Sequence, residues 1–178
     1  MLEACGAQVV AVRDAETLQT CDALVIPGGE STVMSRLCDR YELWEPLRDG
    51  INQGMAVLGT CAGMILLAKQ ISSATANFQQ KTLGALDIDV ARNAYGAQLD
   101  SFEADIEMPS AGTTPLRAVF IRAPRIMRVG DDVEVLASHN GVPVVVRQGR
   151  LMASSFHPEI AGDDRVHRLW IEGVGSGQ

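Results

Sequence analysis

A cysteine flanked by glycines is the first candidate for a reactive group. Gly59-Thr60-Cys61-Ala62-Gly63 follows a continuous apolar run at residues 55–58 and precedes a helical pattern. This is the layout of a nucleophile elbow, with cysteine in the place of the serine of G-x-S-x-G hydrolases. The start of a helix favours the thiolate, and the amide of Ala62 would supply half of an oxyanion hole. Taken alone, the segment is explained equally well by a buried structural cysteine in a glycine-rich turn.

A thiol nucleophile needs a base, and His157-Pro158-Glu159 offers one together with a carboxylate that could orient it. Pro158 disfavours helical geometry at His157, and in an extended segment residues 157 and 159 project to the same side. A surface turn after a strand explains this segment more simply when it stands alone. His139 lies beside a predicted hairpin turn and His167 in a predicted terminal helix, so both are expected to be solvated. His157 is therefore the preferred base.

Two adjacent glycines end another apolar run, in Pro27-Gly28-Gly29-Glu30-Ser31. Backbone amides at Gly28 and Gly29 could complete the oxyanion hole with the amide of Ala62. A strand-to-helix turn capped by Ser31 or Thr32 also explains the segment. A phosphate-binding loop is less favoured, because no lysine follows the glycines.

The patterns around these segments predict an α/β fold in a single domain. Continuous apolar strands indicate a parallel sheet covered on both faces, and the short strands of the second half indicate an antiparallel extension. Strands are predicted at residues 8–12, 22–26, 55–58, 85–90, 102–108, 118–122, 133–138, 142–148 and 151–155. Helices are predicted from residue 31 through 38 and at residues 41–52, 62–70 and 165–172. The polar residues 72–82 are predicted to form a mobile surface loop.

Composition excludes several classes of protein. The 178 residues are 47% hydrophobic and 21% charged, which excludes disorder, and the net charge of −7 argues against nucleic-acid binding. Every apolar stretch is shorter than the roughly 20 residues that a membrane span needs. The four cysteines form no C-x-x-C pair and no secretory signal precedes them, which favours a reducing, cytoplasmic location. The three histidines have no metal-ligand spacing, so no metal site is expected.

Together the three motifs resemble those of class I (triad) glutamine amidotransferases. Further segments narrow the resemblance to the glutaminase subunit of two-component pyridoxal 5′-phosphate synthase, across almost the whole chain. They are Ile26-Pro27-Gly28-Gly29-Glu30-Ser31-Thr32, Arg92-Asn93-Ala94-Tyr95-Gly96, Ser101-Phe102-Glu103, Val119-Phe120-Ile121-Arg122-Ala123-Pro124 and Ser155-Phe156-His157-Pro158-Glu159. The resemblance implies a three-layer, flavodoxin-like fold.

The resemblance also implies an activity, which is hydrolysis of L-glutamine to glutamate and ammonia. Cys61 would form a thioester, and His157, oriented by Glu159, would protonate the departing ammonia and then activate water. Six residues would contact the substrate: Gly29, Glu30, Ser31, Arg92, Ile121 and Arg122. Ammonia would pass to a barrel-shaped synthase subunit within a large 12+12 hetero-oligomer. The chain itself is expected to hold no cofactor and no metal.

One departure from the family leaves alternatives open. The opening Met1-Leu2-Glu3-Ala4-Cys5-Gly6 matches the end of the family's first helix, so the family's first strand is expected to be missing. The chain could then be a catalytically impaired partner subunit that keeps only the docking surface. It could also be a glutaminase that serves another acceptor, such as an imidazole-glycerol-phosphate or anthranilate synthase. That alternative does not account for Arg92 or for the Ile121-Arg122 segment.

Overall fold

The computed structural model describes residues 1–72, 80–92 and 101–175. In these ranges the helices are α1 (Ala15–Gln19), α2 (Ser31–Arg40), α3 (Trp44–Asn52), α4 (Ala62–Leu67), α5 (Pro158–Ala161) and α6 (Arg165–Gly175). The strands are β1 (Ala23–Ile26), β2 (Ala56–Thr60), β3 (Ala68–Ser72), β4 (Leu86–Ala91), β5 (Ser101–Ile106), β6 (Leu116–Ile121), β7 (Arg125–Val129), β8 (Glu134–His139), β9 (Val142–Gln148) and β10 (Leu151–Ser154). Most predicted strands therefore occur, with their ends shifted by two residues or fewer.

The central sheet is mixed, as the sequence predicts. Its strand order is β1-β2-β10-β9-β8, in which β1, β2 and β10 run parallel. Strand β9 is antiparallel to β10, and β8 is antiparallel to β9. The parallel part therefore carries an antiparallel extension on one side, and the carboxyl ends of β1, β2 and β10 meet at one edge.

Helices cover both faces of this sheet because strand β2 presents apolar side chains on both faces. Val57 packs into a core that includes Trp44 of α3 and Met64 of α4. Its neighbours Ala56 and Leu58 point the other way, into a second core that includes residues of α6. Successive side chains of a strand alternate between faces, so a continuous apolar run supplies two cores at once. The result is the three-layer arrangement.

Two smaller sheets depart from the predictions. One has the order β3-β4-β7 and the other pairs β5 with β6. The helix predicted at residues 62–70 is wrong in its second half, because α4 ends at Leu67 and the chain continues as β3. Ala68 is already extended, with φ −59° and ψ 148°, and β3 pairs in parallel with β4. Backbone pairing with a distant strand determines the conformation of this segment, and the local sequence does not indicate such pairing.

The strand predicted at residues 8–12 does not form. In the described structure these residues are neither helical nor paired in a sheet, and the side chains of Val9 and Val10 are 49% and 54% exposed. A β-branched run becomes a strand only where another strand meets its backbone groups. Residues 73–79 of the predicted mobile loop 72–82 lie outside the described residues.

Candidate active site

Cys61 lies in a strained turn between β2 and α4. Its φ is 50° and its ψ −103°, a conformation that side-chain-bearing residues rarely adopt. The turn is also closely packed, because a Cβ on Gly63 would lie 2.0 Å from the carbonyl oxygen of Ile26. A Cβ on Gly59 would lie 2.7 Å from backbone atoms of Gly63. Both glycines are therefore required for the strand and helix to meet closely enough to present Cys61 at the sheet edge.

His157 reaches the same edge from the neighbouring strand. Strand β10 runs parallel to β2 with Ser154 opposite Thr60, and the amide of Cys61 donates to the carbonyl of Ser154 over 2.8 Å. The Cys61 side chain lies close enough to the imidazole of His157 to exert the largest of the effects that raise the pKa of His157. Residues almost a hundred positions apart thus meet because parallel strands end together.

Glu159 holds the imidazole from its other side. His157 Nδ1 lies 2.8 Å from Glu159 Oε1. The extended geometry predicted for this segment applies only to His157, with φ −106° and ψ 89°, because helix α5 begins at Pro158. Glu159 therefore reaches His157 from the first turn of a helix. The two side chains do not face each other as alternate residues of an extended strand. Proline is well suited to that first helical position.

Two neighbours set the charge state of the ring. The interaction with Cys61, and then the hydrogen bond that the ring donates to Glu159, raise the pKa of His157 to about 9, against the opposing effect of burial. Burial is the largest single effect and acts to raise the pKa of Glu159, but the hydrogen bond to His157, a backbone hydrogen bond and the nearby positive charge together outweigh it and hold that pKa below its usual value. At neutral pH the pair is an imidazolium and a carboxylate.

Gly28 packs directly against the imidazole. A Cβ at this position would lie 2.1 Å from Cε1 of His157 and 2.8 Å from Nδ1, so only glycine fits. Gly29 follows with a φ of 147°, another conformation that favours glycine. The glycine pair predicted to face a ligand therefore lies beside the acid–base residue.

Helix α2, which follows this loop, is capped by a residue other than the two predicted. The carboxylate of Glu30 accepts from the amides of Thr32 and Val33 over 3.1 and 2.8 Å. The hydroxyl of Ser31 instead donates to Oε1 of Gln80 over 3.0 Å. A carboxylate at the start of a helix satisfies two free amides at once, which the shorter serine does not do here.

Arg92 approaches the same loop from the end of β4. Its Nη1 donates to Gln80 Oε1 over 2.8 Å. Its Nη2 lies 3.3 Å from Thr32 Oγ1 and 3.4 Å from Glu30 Oε1. The structure thus gathers Arg92, Glu30 and Ser31, and it adds Gln80, which the sequence analysis missed because no motif marks it.

The end of β6 borders the thiol. Cys61 Sγ lies 3.9 Å from the carbonyl oxygen of Ile121, and the amide of His157 donates to the carbonyl of Val119 over 2.9 Å. Arg122 follows with a φ of 43° and is exposed. Ile121 is therefore at the site, and Arg122 is its immediate neighbour.

The expectation that the other two histidines are solvated is wrong. His167 is 4% exposed, and burial lowers its pKa. His139 is half-buried, with its ring centroid 5.7 and 5.9 Å from those of Phe102 and Phe120. Helix α6 and the β8–β9 turn pack against the body of the protein, and periodicity alone did not indicate which of their faces would be covered.

The structure also bears on metal binding, disulfide pairing and membrane insertion. Within the described residues, no group of three or more His, Cys, Asp or Glu side chains could hold a metal ion. All four cysteines are unpaired. No helix in the described ranges is both long and apolar enough to cross a membrane.

Comparison with known proteins gives matches over nearly the whole chain. A family model described as the SNO glutamine amidotransferase family matches residues 1–176. A pyridoxal 5′-phosphate synthase subunit PdxT from Kosmotoga olearia is 49% identical over 174 residues, covering 98% of this chain and 89% of its own length. One from a Nocardioides species is 52% identical over 177 residues, covering 97% and 87%. A crystal structure described as a glutamine amidotransferase superposes with a TM-score of 0.89 at 44% identity, covering 98% and 90%.

Proposed function

Because this chain belongs to the SNO glutamine amidotransferase family, we propose that it releases ammonia from L-glutamine through Cys61, His157 and Glu159. It is the glutaminase subunit of pyridoxal 5′-phosphate synthase and takes part in vitamin B6 biosynthesis, like its curated relatives. One observation carries the assignment of residues. A strained cysteine lies beside an imidazole whose pKa it raises, and that imidazole is hydrogen-bonded to a carboxylate at 2.8 Å.

In the first half of the reaction the sulfur attacks the side-chain amide. Cys61 Sγ, whose proton has passed to His157, forms a bond to the carbonyl carbon of glutamine, and an electron pair moves onto the oxygen. The backbone amides of Gly28, Gly29 and Ala62 hold this negative charge, a contribution typically worth about 10²- to 10³-fold in rate for each donor. His157, protonated at neutral pH, gives its proton to the nitrogen as the C–N bond breaks. Ammonia leaves, and a thioester remains on Cys61.

In the second half water replaces the sulfur. Neutral His157 takes a proton from water, whose oxygen attacks the thioester carbon, and glutamate leaves as the C–S bond breaks. The sulfur departs with the electron pair, and the imidazolium is restored. Glu159 orients the ring through Nδ1 and stabilises its charge in each protonated state.

The substrate lies between the 28–31 loop and the ends of β4 and β6. It lies against Gly29, Glu30 and Ser31, and Arg92, Ile121 and Arg122 close around its α-amino and α-carboxylate ends. The 3.4 Å between Arg92 Nη2 and Glu30 Oε1 supports this placement, as do the bonds of Ser31 and Arg92 to the same Gln80 oxygen and the 3.9 Å between Cys61 Sγ and the Ile121 carbonyl. A guanidinium is suited to a carboxylate because it offers several donors in one plane.

The subunit works with a synthase partner and uses glutamine. We further propose that residues 1–178 form one domain, since both hydrophobic cores share strand β2. The partner is a barrel-shaped synthase subunit in a cytoplasmic 12+12 assembly, and ammonia passes to it shielded from water.

The test measures ammonia released from glutamine by the chain together with its synthase subunit. The Cys61→Ala variant is expected to abolish release, and a glutamine-analogue electrophile is expected to add to Cys61, as seen by intact mass. Cys38→Ala is the matched control, because Cys38 is also a buried free cysteine but lies in α2. Ammonia release by Cys61→Ala, or a wild-type complex without the adduct, would contradict the proposal.

A further inference from the structure

The side-chain amide of Gln80 links two residues of the proposed substrate site. Its Oε1 accepts from Ser31 Oγ over 3.0 Å and from Arg92 Nη1 over 2.8 Å. The orientation of the amide follows from chemistry, since a guanidinium has only donors and must face the carbonyl oxygen. Gln80 therefore fixes both the hydroxyl of Ser31 and the guanidinium of Arg92.

The nitrogen of the same amide is buried and has no acceptor. Nε2 of Gln80 is inaccessible to solvent and makes no hydrogen bond among the described residues. A buried donor without a partner is unfavourable, and such groups in folded proteins are normally satisfied. An acceptor supplied by a ligand would satisfy it.

The surrounding groups indicate what that acceptor is. The hydroxyl of Ser31, the guanidinium of Arg92 and the amide of Gln80 are all donors, and one of them is a cation. The carboxylate of Glu30 caps helix α2 and lies 3.4 Å from Nη2 of Arg92, which leaves Nη1 facing Gln80. A cluster of donors with a positive charge is suited to an acceptor-only anion such as a carboxylate.

We propose that Gln80 is a further residue of the glutamine site, a proposal that rests on the function proposed above. Its carbonyl oxygen positions Ser31 and Arg92, and its Nε2 donates to the α-carboxylate of the bound glutamine. Gln80 thereby helps to select amides that carry an α-carboxylate, and it takes no part in the chemistry at Cys61.

The experiment compares two reagents that alkylate Cys61 in the complex with the synthase subunit. A diazo-ketone analogue of glutamine carries the α-carboxylate, whereas iodoacetamide does not. In Gln80→Glu the donor is replaced by an acceptor, and in Gln80→Met both polar atoms are lost. Gln70→Glu makes the same charge change at an exposed position of β3 and serves as the control.

Both Gln80 variants are expected to raise the half-saturating concentration of the analogue by about tenfold or more, the usual effect of removing a hydrogen bond to a charged group. The limiting rate of labelling at saturation and the rate with iodoacetamide are expected to stay at wild-type values. Gln70→Glu is expected to behave as wild type with both reagents.

Other results would overturn the proposal. If the half-saturating concentration of the analogue is unchanged in Gln80→Glu, Nε2 of Gln80 does not donate to the α-carboxylate. If this concentration is lower than in wild type, Gln80 competes with the substrate for Arg92. Slower labelling by iodoacetamide in both variants would mean that the substitutions disturb Cys61 itself. If the analogue fails to label even the wild-type complex, the proposed function is wrong as well. If the analogue labels the wild type but the Gln80 variants behave like it, only the proposal for Gln80 is wrong.

Discussion

Replacement of Gly28 by alanine tests the arrangement of the triad most directly. The added Cβ would lie 2.1 Å from Cε1 of His157, whereas ordinary contact begins at 3.4 Å, so the ring must retreat by about 1.3 Å. A displacement of that size breaks or distorts the 2.8 Å contact with Glu159 and moves the ring relative to Cys61. We expect kcat/KM for glutamine to fall by about 10²- to 10⁴-fold, the usual contribution of a correctly placed acid–base group.

The assay is glutamate formation by the complex of Gly28→Ala with the synthase subunit, together with thermal unfolding of the variant. Gly173→Ala is the control, because a Cβ at Gly173 meets nothing within 4 Å. We expect it to leave activity unchanged and to raise the free energy of unfolding by up to about 1 kcal/mol, because alanine is favoured over glycine inside a helix. Activity of Gly28→Ala within about threefold of wild type, against the expected loss of at least 10²-fold, would refute the argument that His157 acts from the observed position.

Two further predictions concern protonation and packing. Because the pKa of His157 is about 9, kcat/KM should fall as the pH rises through about 9, and Glu159→Gln should move this decline to lower pH. The charge of His157 also stabilises the fold, fully below its unfolded pKa of about 6.5, and this contribution is lost as the pH rises through about 9. A decline at the same pH in wild type and Glu159→Gln would contradict the assignment. Gly63→Ala should lower the free energy of unfolding, measured in urea, by about 1–3 kcal/mol or more. The reason is that its Cβ would lie 2.0 Å from the carbonyl oxygen of Ile26. A stability equal to that of Gly173→Ala would contradict this prediction.

The proximity of Cys61 and His157 could be predicted because each residue follows a strand that is itself predictable. Cys61 comes after the apolar run of β2, and His157 comes soon after β10. Parallel strands end at one edge of a sheet, so the topology alone brings the two together. Gln80 carries no such signal, since it stands in a polar stretch without periodicity and its partners Ser31 and Arg92 are distant in sequence.

The errors in the fold share one physical cause, which is dependence on distant partners. Residues 68–70 are predicted to end a helix, but pairing with β4 makes residues 68–72 a strand. Val9 and Val10 have high strand propensity, but in the described structure no strand pairs with them. The cap of α2 was misassigned because the hydroxyl of Ser31 is engaged by Gln80, which leaves Glu30 to hold the helix amides.

The backbone contacts of the two reacting residues bear on how this protein could be redesigned. The amide of Cys61 is anchored to β10 and that of His157 to β6, so the main-chain positions of nucleophile and acid are set by strands. An engineer who wants a different amide accepted can therefore vary Arg92 or Ser31 while leaving these anchors in place. Insertions in β6 would instead displace the imidazole along with the strand, and they are the changes to avoid.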